Sequence, residues 1–539
     1  MVSSSVAVAQ AAQQEAAAAV KYALTVKVLD ATGAPAAQEQ VDLVNVDDRL
    51  RFKLSTRTDG NGLVRANVPK GNYSLIGEDG SFDEATGLVT LRLTSISDFK
   101  VTAARTVTLD HRKATVEPAV SVPKPVKNTI YSLSWRRDDA LKENALKKNY
   151  AVGPTTTRLL VAPAAKAGVG TARTTFLWTL VEPTAVPTYS YTVGARTNGL
   201  PAAAKYTFAA KDLATVKSAY YGEGAANRSV LVRRYLQGES LGEAELLPRG
   251  SRRTEYVGFI GGTPKWQEEL TVNPKAPEVD LGLSGPSRVL AAGSSTSLNW
   301  LKGPLVAAVP VQSEGFYCAA CRVGKTLSFS AAPFTDSYLS HVAAQGGAES
   351  VNRIRFYRSG KLISDKKTSG GIFSVPTAKT GYKILLDVDR RSAGANQSTQ
   401  VQTAWTFSSS STTGKQLASK WSCRSGQGKE CRALPLVQAR LVLPLTLNGT
   451  LPAAKSAVTV SVAQIQNAAT SAIKSAGLQI RPAGQGWTTV KLTAPGGGKY
   501  TGTIDNTALT GNVDVRITGA DKAGSTFQQT VLKAYTVAG

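Results

Sequence analysis

The sequence predicts a mostly β fold, arranged as a tandem array of β-sandwich domains with few short helices. Short runs rich in Val, Thr, Leu and Tyr alternate apolar and polar residues, which is the period of a half-buried strand. Turn-forming Gly, Pro, Asn and Asp separate these runs about every eight to twelve residues. Sustained helical periodicity is scarce, and the segments 138–150 and 465–477 are the best short helix candidates.

Length and composition allow several domains. The chain has 539 residues, too many for one hydrophobic core, and 42% of them are apolar, which argues against global disorder. The 48 glycines suit short strands joined by tight turns. No stretch approaches the length of an apolar membrane span, so none is predicted. We expect a monomer.

Turn signals and proline-rich joints divide the chain into four predicted domains. Residues 1–21 are rich in Ala, Gln and Ser and are predicted to be a linker or a frayed segment. Residues 22–120 are predicted to form the first sandwich, with a tight turn at Asp59-Gly60-Asn61-Gly62 followed by a strand that places Val64 and Val68 on one face. Proline-rich joints then give a sandwich over 121–275, a sandwich with the cysteines over 276–432, and an immunoglobulin-like sandwich over 433–539.

The four cysteines form two close pairs, Cys318 with Cys321 and Cys423 with Cys431. Such spacing favours either two local disulfides or one zinc site with four cysteine ligands. The second pair is loosely spaced for a zinc knuckle, so we predict a disulfide within each pair and neither a metal nor a cofactor. Cross-pairing stays open, because the chain-entropy model favours longer loops.

Disulfides and charge bear on location and partners. Disulfides indicate an oxidising, extracellular compartment, although no Lys or Arg precedes Lys21 and no signal peptide is recognisable. The net charge of +25 raises nucleic acid as a partner, but the basic residues come as scattered pairs, such as Arg136 with Arg137, and form no run. We therefore predict no nucleic-acid binding. An anionic cell wall or acidic polymer is a more plausible partner than nucleic acid, but charge alone identifies no ligand, and a solvated cationic surface that aids solubility is the favoured interpretation.

No catalytic constellation is predicted. A Ser-His-Asp site requires a histidine base, and the chain has only His111 and His341. His111 follows a predicted strand and is expected at a surface or a turn. His341 shares only His-Val-Ala with the helix that carries the catalytic histidine of subtilisin-like proteases. Ser240 lies in the esterase-like pattern GESLG, but Pro248 breaks the segment that follows, which predicts a hairpin loop rather than a nucleophile elbow.

Several motifs carry a resemblance to known families. TDGNGLVRANVPKGNYSL resembles the carboxypeptidase-regulatory-like (transthyretin-like) sandwich. The succession RTVTLDHRKA, FYCAACR, RFYRSGKLI and GNVDVRITGADKAGSTFQQTVLKAYTV resembles the region downstream of the catalytic domain in large secreted bacterial subtilisin-like (S8 family) serine peptidases. This resemblance covers most of residues 22–539 and implies an exported polypeptide whose protease domain precedes these sandwiches. No catalytic residue of the family has a matching position.

The resemblance implies a non-catalytic accessory region that acts as a spacer, scaffold or docking array. Its implied partners are an upstream peptidase domain or a protein substrate. One alternative is an independent cell-surface or polysaccharide-binding protein, which would present two or three coplanar Trp or Tyr side chains on an exposed face. The other is a cryptic hydrolase that uses Ser240 and requires His111 or His341 within hydrogen-bond reach.

Overall fold

The computed structural model describes residues 20–153, 156–223, 229–236, 242, 244–272, 281–309, 318–338, 341–343, 351–392, 395–411, 423, 431–465 and 471–538. The predicted fold class is confirmed, because the regular structure of these residues is almost entirely β-strand, arranged in several sheets. Complete helical elements in this part of the chain are the single 3₁₀ turns His111–Lys113 and Ala210–Asp212, and Ile465 also has 3₁₀ conformation. No helix in the described ranges is long and apolar enough to cross a membrane.

The first sandwich packs a three-stranded sheet against a larger one. Its strands are β1 (Lys21–Leu29), β2 (Gln40–Asn45), β3 (Lys53–Arg57), β4 (Leu63–Pro69), β5 (Gly71–Asp83), β6 (Leu88–Val101) and β7 (Arg105–Asp110). The small sheet has the order β4-β1-β7, and β6, β5, β2 and β3 lie side by side in the other. Between the sheets lies a core that includes Val26, Val28, Tyr73, Leu75 and Leu109.

The tight turn expected before β4 is present. Asp59 accepts hydrogen bonds at Oδ1 from the backbone N–H groups of Asn61 and Leu63, both at 2.9 Å. Gly62 has a φ of +69°, a conformation that glycine adopts at little cost. After the turn, Val64 and Val68 are buried in the core, as the alternating pattern predicts.

The second region extends from residue 119 to residue 300. Its strands are β8 (Ala119–Ser121), β9 (Lys127–Asp138), β10 (Asn144–Val152), β11 (Thr157–Val161), β12 (Thr171–Val181), β13 (Tyr189–Asn198), β14 (Lys205–Thr207), β15 (Ala214–Tyr220), β16 (Ser229–Leu236), β17 (Ala244–Pro248), β18 (Ser251–Ile260), β19 (Lys265–Val272), β20 (Leu281–Ser284), β21 (Arg288–Val289) and β22 (Ser295–Trp300). A seven-stranded sheet has the order β10-β9-β12-β13-β18-β15-β22. A second sheet contains β17, β16, β19 and β20, with β21 paired to β19.

The remaining strands build the cysteine-containing region and the C-terminal sandwich. They are β23 (Val306–Ala308), β24 (Ala320–Val323), β25 (Thr326–Ser330), β26 (Ala332–Thr335), β27 (Val342–Ala343), β28 (Val351–Arg358), β29 (Lys361–Lys366), β30 (Gly370–Ser374), β31 (Thr380–Asp389), β32 (Gln400–Ser409), β33 (Arg432–Ala433), β34 (Val437–Val442), β35 (Thr450–Pro452), β36 (Lys455–Gln464), β37 (Ile473–Pro482), β38 (Thr488–Val490), β39 (Leu492–Gly496), β40 (Lys499–Asp505), β41 (Gly511–Asp521) and β42 (Thr526–Ala538). The largest sheet runs β29-β28-β31-β32-β42-β41-β37-β38, and β34-β36-β40-β39 form another.

The sheets cross the domain ranges predicted from sequence. β11 extends the larger sheet of the first sandwich through β6, and β22 joins the seven-stranded sheet through β15. In the C-terminal half, β32 pairs with β42. One hydrophobic core consequently contains residues from Leu177 to Val537. The four domain ranges given from sequence therefore stay predictions.

The candidate helix over 138–150 is wrong, because this segment is a hairpin between β9 and β10. Lys142 takes a φ of +63° in the turn, a left-handed conformation that ends helical geometry. Beyond the turn, Lys148 forms ion pairs with Asp42 and Glu78 of the first sandwich. Contacts with a distant sheet therefore override the local helix propensity. In the second candidate, residues 473–477 belong to β37 and residues 466–470 lie outside the described residues.

Candidate functional site

One face of the seven-stranded sheet is covered by a core over only part of its width. On β13, Tyr191 and Val193 point into a core on that side of the sheet. On β15, Val216 and Tyr220 belong to the core on the opposite side. Because side chains alternate along a strand, the intervening residue Lys217 points back to the first side, where it is exposed. An open surface therefore crosses β18, β15 and β22.

Strand register places cations and hydrogen-bonding side chains in two rows on this surface. Lys217 pairs with Thr254 of β18 and with Ser297 of β22. In the next row, Ala219 lies between Arg252 and Asn299. We call these six residues the cationic face: Lys217, Ala219, Arg252, Thr254, Ser297 and Asn299. With strands about 4.8 Å apart, the face is about 10 Å wide from β18 to β22.

A groove of about 420 Å³ follows the cationic face. Its lining also includes Thr188, Ser218 and Arg253, and contains no carboxylate. The charge of Arg253 is already paired within the protein, because its guanidinium forms ion pairs with Glu245 at 2.6 Å and with Glu255 at 2.8 Å. Lys217 and Arg252 form no ion pair within the described ranges, and both side chains are exposed. The groove therefore offers two available positive charges beside hydroxyl and amide groups.

Two further cations extend the positive surface beyond one end of the groove. The Lys302 ammonium lies 5.6 Å from the centre of the Tyr221 ring, and the Arg440 guanidinium lies 5.7 Å from the centre of the Tyr338 ring. Burial lowers the pKa of Lys302, and the positive charges of Arg440 and Arg252 lower it further. Mutual repulsion of this kind favours a bound anion, since an anion would relieve it.

The same end is tied to the cationic face by a direct contact. Asn299 donates a hydrogen bond from Nδ2 to the hydroxyl of Tyr338 at 3.2 Å. Arg440 also has its Nε buried without a hydrogen-bond partner. A buried donor without a partner has a cost, which an acceptor on a ligand or a water molecule would remove.

Tyrosines border the opposite end. Tyr189 and Tyr256 are partly exposed on neighbouring strands, and Tyr256 stacks on the buried Tyr191 with 4.8 Å between ring centres. Lys124 donates a hydrogen bond to the Tyr256 hydroxyl at 3.0 Å and lies 4.7 Å from the centre of the Tyr189 ring. This hydrogen bond to the Tyr256 hydroxyl raises the pKa of Lys124. This arrangement keeps a third exposed charge at the border of the groove.

A buried ionic network holds the strands of the face in place from behind. Glu255, on β18, accepts hydrogen bonds from Tyr220 at 2.5 Å, from Ser218 at 2.9 Å, and from Arg253 at 2.8 Å. Arg234 of β16 pairs with both Glu255 and the buried Glu268. These contacts join β15 and β18 to the facing sheet, so the cationic face rests on a rigid support.

The contacts of His341 indicate a structural role. Its ring is 2% exposed, stacks on Trp300 with ring centres 4.0 Å apart, and has Nδ1 2.8 Å from Oδ2 of Asp336. Asp336 also accepts the backbone N–H groups of Leu301 and Tyr338. The Asp–His pair thereby holds residues 336–338 and His341 against β22.

His111 lies in a turn, one of the two expected locations, but the alternative expectation of a surface position is wrong. Its side chain is fully buried, with Nδ1 3.0 Å from the Thr94 hydroxyl, and burial lowers its pKa. The 3₁₀ turn that begins at His111 directs this ring inward and leaves Arg112 and Lys113 exposed. Ser240, the nucleophile of the cryptic-hydrolase alternative, lies outside the described residues, so that alternative stays a prediction.

The four cysteines form the two local disulfides. Cys318 is bonded to Cys321 with 5.9 Å between Cα atoms, and Cys423 to Cys431 with 5.7 Å. In this bonded state, no group of three or more His, Cys, Asp or Glu side chains among the described residues could hold a metal ion.

Exposed tryptophan platforms are absent from the described part of the chain. Trp135, Trp178, Trp266, Trp300 and Trp405 are almost completely buried in the cores. Trp487 is partly exposed, and its ring lies 4.7 Å from the Arg481 guanidinium and 4.2 Å from that of Arg516. Trp421 lies outside the described residues. Tyrosines, rather than tryptophans, therefore accompany the cationic face.

No family model matches the sequence, and no curated protein matches it. Among solved structures, the fibronectin(III)-like modules of Clostridium thermocellum CbhA are 12% identical, with a TM-score of 0.13, over 42% of this chain and 93% of theirs. The chicken CNTN1 FN1–FN3 domains are 8% identical, with a TM-score of 0.14, over 59% of this chain and 99% of theirs.

The Bacillus anthracis TIE protein is 9% identical, with a TM-score of 0.13, over 52% of this chain and 50% of its own. This chain therefore spans half the length of that matched chain. Similarities of this size establish neither a family nor a function, and nothing in these comparisons links the chain to subtilisin-like peptidases or carboxypeptidase-regulatory domains.

Sequence reasoning missed the residues of the cationic face. Lys217 and Arg252 of this face, and Lys302 and Arg440 beyond its end, come from four separate segments, and each looks like an ordinary surface cation in its own segment. The only available signal was the net charge of +25, which does not say where the charges meet.

Proposed function

We propose that the chain is a non-catalytic docking array that binds an anionic cell-wall polymer through its cationic face. The observation that carries this proposal is the groove over β15, β18 and β22. It is lined by the available cations Lys217 and Arg252, with the hydroxyls of Thr254 and Ser297 and the amide of Asn299 beside them. Cations fix the anionic groups of such a polymer, and the neutral donors and acceptors fit the hydroxyl groups of its repeating units.

The openness of the surface supports a polymer rather than a small metabolite. Lys217, Arg252 and Ser297 are all exposed, whereas a site for a small molecule encloses most of its ligand. Charges continue beyond both ends of the groove, at Lys124 on one side and at Lys302 and Arg440 on the other. A chain with repeated anionic groups would contact several of these positions at once, which adds avidity.

The proposal includes an extracellular accessory role beside a subtilisin-like peptidase. Its support is the order of the sequence motifs across residues 22–539, together with two disulfides. The absence of a catalytic role for this chain is also part of the proposal, because both histidines are buried in structural contacts. In this arrangement the sandwiches hold the peptidase at a polymer surface.

Titration of the full chain with polymers of defined length tests the docking role. We expect binding to poly(glycerol phosphate) or to polygalacturonate and none to the neutral polymer dextran, and the two polyanions distinguish phosphate from carboxylate ligands. The Lys217→Gln/Arg252→Gln variant should bind about 5- to 30-fold more weakly, the sum of two exposed charge contacts of about 0.5–1 kcal/mol each.

A charge-matched variant provides the control. Lys361→Gln/Lys383→Gln removes two exposed lysines from a different sheet and changes the net charge equally. We expect it to change the affinity less than twofold. Equal loss in both variants would show that the overall charge, not the cationic face, attracts the polymer, and would refute the proposal.

The accessory role needs a separate experiment. Intact mass and N-terminal sequencing of the product of the native gene should show a longer polypeptide with a peptidase domain ahead of these sandwiches. A product that begins at Met1 would contradict the accessory role and leave polymer binding to be judged by the titration alone.

A further inference from the structure

A lysine and two carboxylates meet where the first sandwich packs against the second region. Lys148 lies on β10, whereas Asp42 and Glu78 lie on β2 and β5 of the first sandwich. Nζ of Lys148 is 2.6 Å from Oδ2 of Asp42 and 2.9 Å from Oε1 of Glu78. One amine therefore contacts two acidic groups from a distant part of the sequence.

Strand register fixes the two carboxylates on the same face. Asp42 pairs with Ile76 across β2 and β5, and Glu78 is two residues beyond Ile76 on β5. Because alternate residues of a strand share a face, Glu78 is the diagonal neighbour of Asp42. Ile76 belongs to the core that joins the first sandwich to the second region. Packed strands, and not loops, thus hold the amine and both carboxylates.

The contact is largely shielded from water. The side chain of Asp42 is 7% exposed, that of Lys148 22% and that of Glu78 30%. Tyr150, two residues beyond Lys148 on β10, packs against the same core. Burial raises the pKa of the Tyr150 hydroxyl, and the neighbouring charges of Glu78 and Asp42 raise it further. Surroundings of this kind disfavour charged groups, which makes proton transfer within an ion pair easier.

The contact is an ion pair with one poorly satisfied oxygen. Burial alone would lower the pKa of Lys148, but its contacts with Asp42 and Glu78 outweigh burial and raise the pKa, so the lysine carries its proton. Within the described residues, Oδ2 of Asp42 is buried without a hydrogen bond of suitable angle. It therefore depends on the charge of the nearby ammonium. A covalent bond that removes both charges would also remove the cost of burying them.

We propose that Lys148 and Asp42 condense to form an isopeptide bond, with Glu78 as the group that moves the proton. With Oδ2 2.6 Å from Nζ, the carboxyl carbon of Asp42 lies no more than about 3.8 Å from Nζ, near the separation of groups poised to react. The bond ties the first sandwich covalently to the second region. This site is separate from the cationic face, and the proposal does not depend on polymer binding.

The reaction is a dehydration and needs no other reactant. The ammonium first transfers one proton to Asp42, which leaves a neutral amine and a neutral carboxylic acid. The amine lone pair then attacks the carboxyl carbon, and Glu78 accepts a proton from Nζ as the carbon–nitrogen bond forms. Glu78 returns that proton to the departing hydroxyl as the carbon–oxygen bond breaks. One water molecule leaves, Glu78 is again a carboxylate, and the product amide is neutral.

Intact mass spectrometry of the full chain, after reduction of its disulfides, tests the bond. We expect the main species to be about 18 Da lighter than the sequence mass, which is the mass of one water molecule. Proteolysis should release a branched peptide in which Lys148 is joined to Asp42. The main species of Lys148→Arg and of Glu78→Gln should have the full sequence mass, because the first lacks the reactive amine and the second lacks the proton acceptor.

Lys147→Arg is the matched control, because successive residues of β10 point to opposite faces. It should keep the loss of one water molecule. A folded wild-type chain whose main species has the full sequence mass would overturn the proposal, and so would a water loss that persists in Lys148→Arg. Undiminished water loss in Glu78→Gln would refute the role of Glu78. Circular dichroism verifies the fold of each variant, and the branched peptide of the wild type decides the case in which a variant does not fold.

Discussion

The substitution Glu255→Gln should destabilise the region that carries the cationic face. Glu255 is 1% exposed and lies between the guanidinium groups of Arg234 and Arg253. Burial alone would raise its pKa, but these two positive charges outweigh burial and hold the pKa well below its usual range. The neutral amide leaves both guanidiniums without that charge partner.

The expected loss of stability follows from the burial of this ion pair. Removing one member of a buried ion pair typically costs about 3–5 kcal/mol, because the remaining charge stays buried without full compensation. A loss of that size lowers the melting temperature of a region of this length by about 6–20 °C. Differential scanning calorimetry of the full chain at pH 7 measures it directly. The matched control is Glu117→Gln, which breaks a pair with Arg158 in which both side chains are 48% exposed. Glu117→Gln should lower the free energy of unfolding by less than about 1 kcal/mol.

The same variant has a predictable pH dependence. A carboxylate whose folded pKa is depressed stabilises the fold fully above its unfolded pKa, which is about 4.3 for glutamate. That contribution declines as the pH falls from there toward the folded pKa of Glu255. The difference in stability between the wild type and Glu255→Gln should therefore shrink below about pH 4. An unchanged difference, or equal melting at pH 7, would refute the account of this network.

Two further substitutions test individual contacts. Gly170 has a φ of +62°, and a Cβ at this position would lie 2.2 Å from the carbonyl oxygen of Asp138. Gly170→Ala should therefore lower the free energy of unfolding, measured by thermal melting, by more than about 1 kcal/mol. An unchanged melting temperature would contradict the close approach of Gly170 to the backbone of Asp138. Asp336→Asn should lower the free energy of unfolding by about 1–3 kcal/mol, because the amide replaces the carboxylate that accepts from His341. A stability equal to the wild type in urea titration would contradict the structural role of that pair.

The fold class could be predicted because its signals are local. Alternation along β4 and the turn chemistry of Asp59 and Gly62 depend only on neighbouring residues, and both appear in the structure. Sheet membership could not be predicted in this way. The pairing of β22 with β15, or of β11 with β6, joins segments separated by tens of residues, and no local pattern encodes it. The hairpin at 138–150 shows the same limit.

The candidate site shows why function was harder to predict than fold. Arg252 becomes part of a cationic face only because β15 and β22 place Lys217 and Asn299 beside it. The burial of His111 likewise depends on contact with Thr94, on another strand. The positions of the cysteine pairs were clear from sequence, but their meeting in one cluster follows from the pairing of β24 with β33.

Lysine footprinting tests the central claim most directly. The full chain is acetylated with and without saturating poly(glycerol phosphate) or polygalacturonate, and the modification of each lysine is measured by mass spectrometry. We predict that the polymer slows the modification of Lys217 at least fivefold and leaves the exposed Lys361 and Lys383 unchanged. Unaltered labelling of Lys217 in the presence of bound polymer would contradict the assignment of the cationic face as the docking surface.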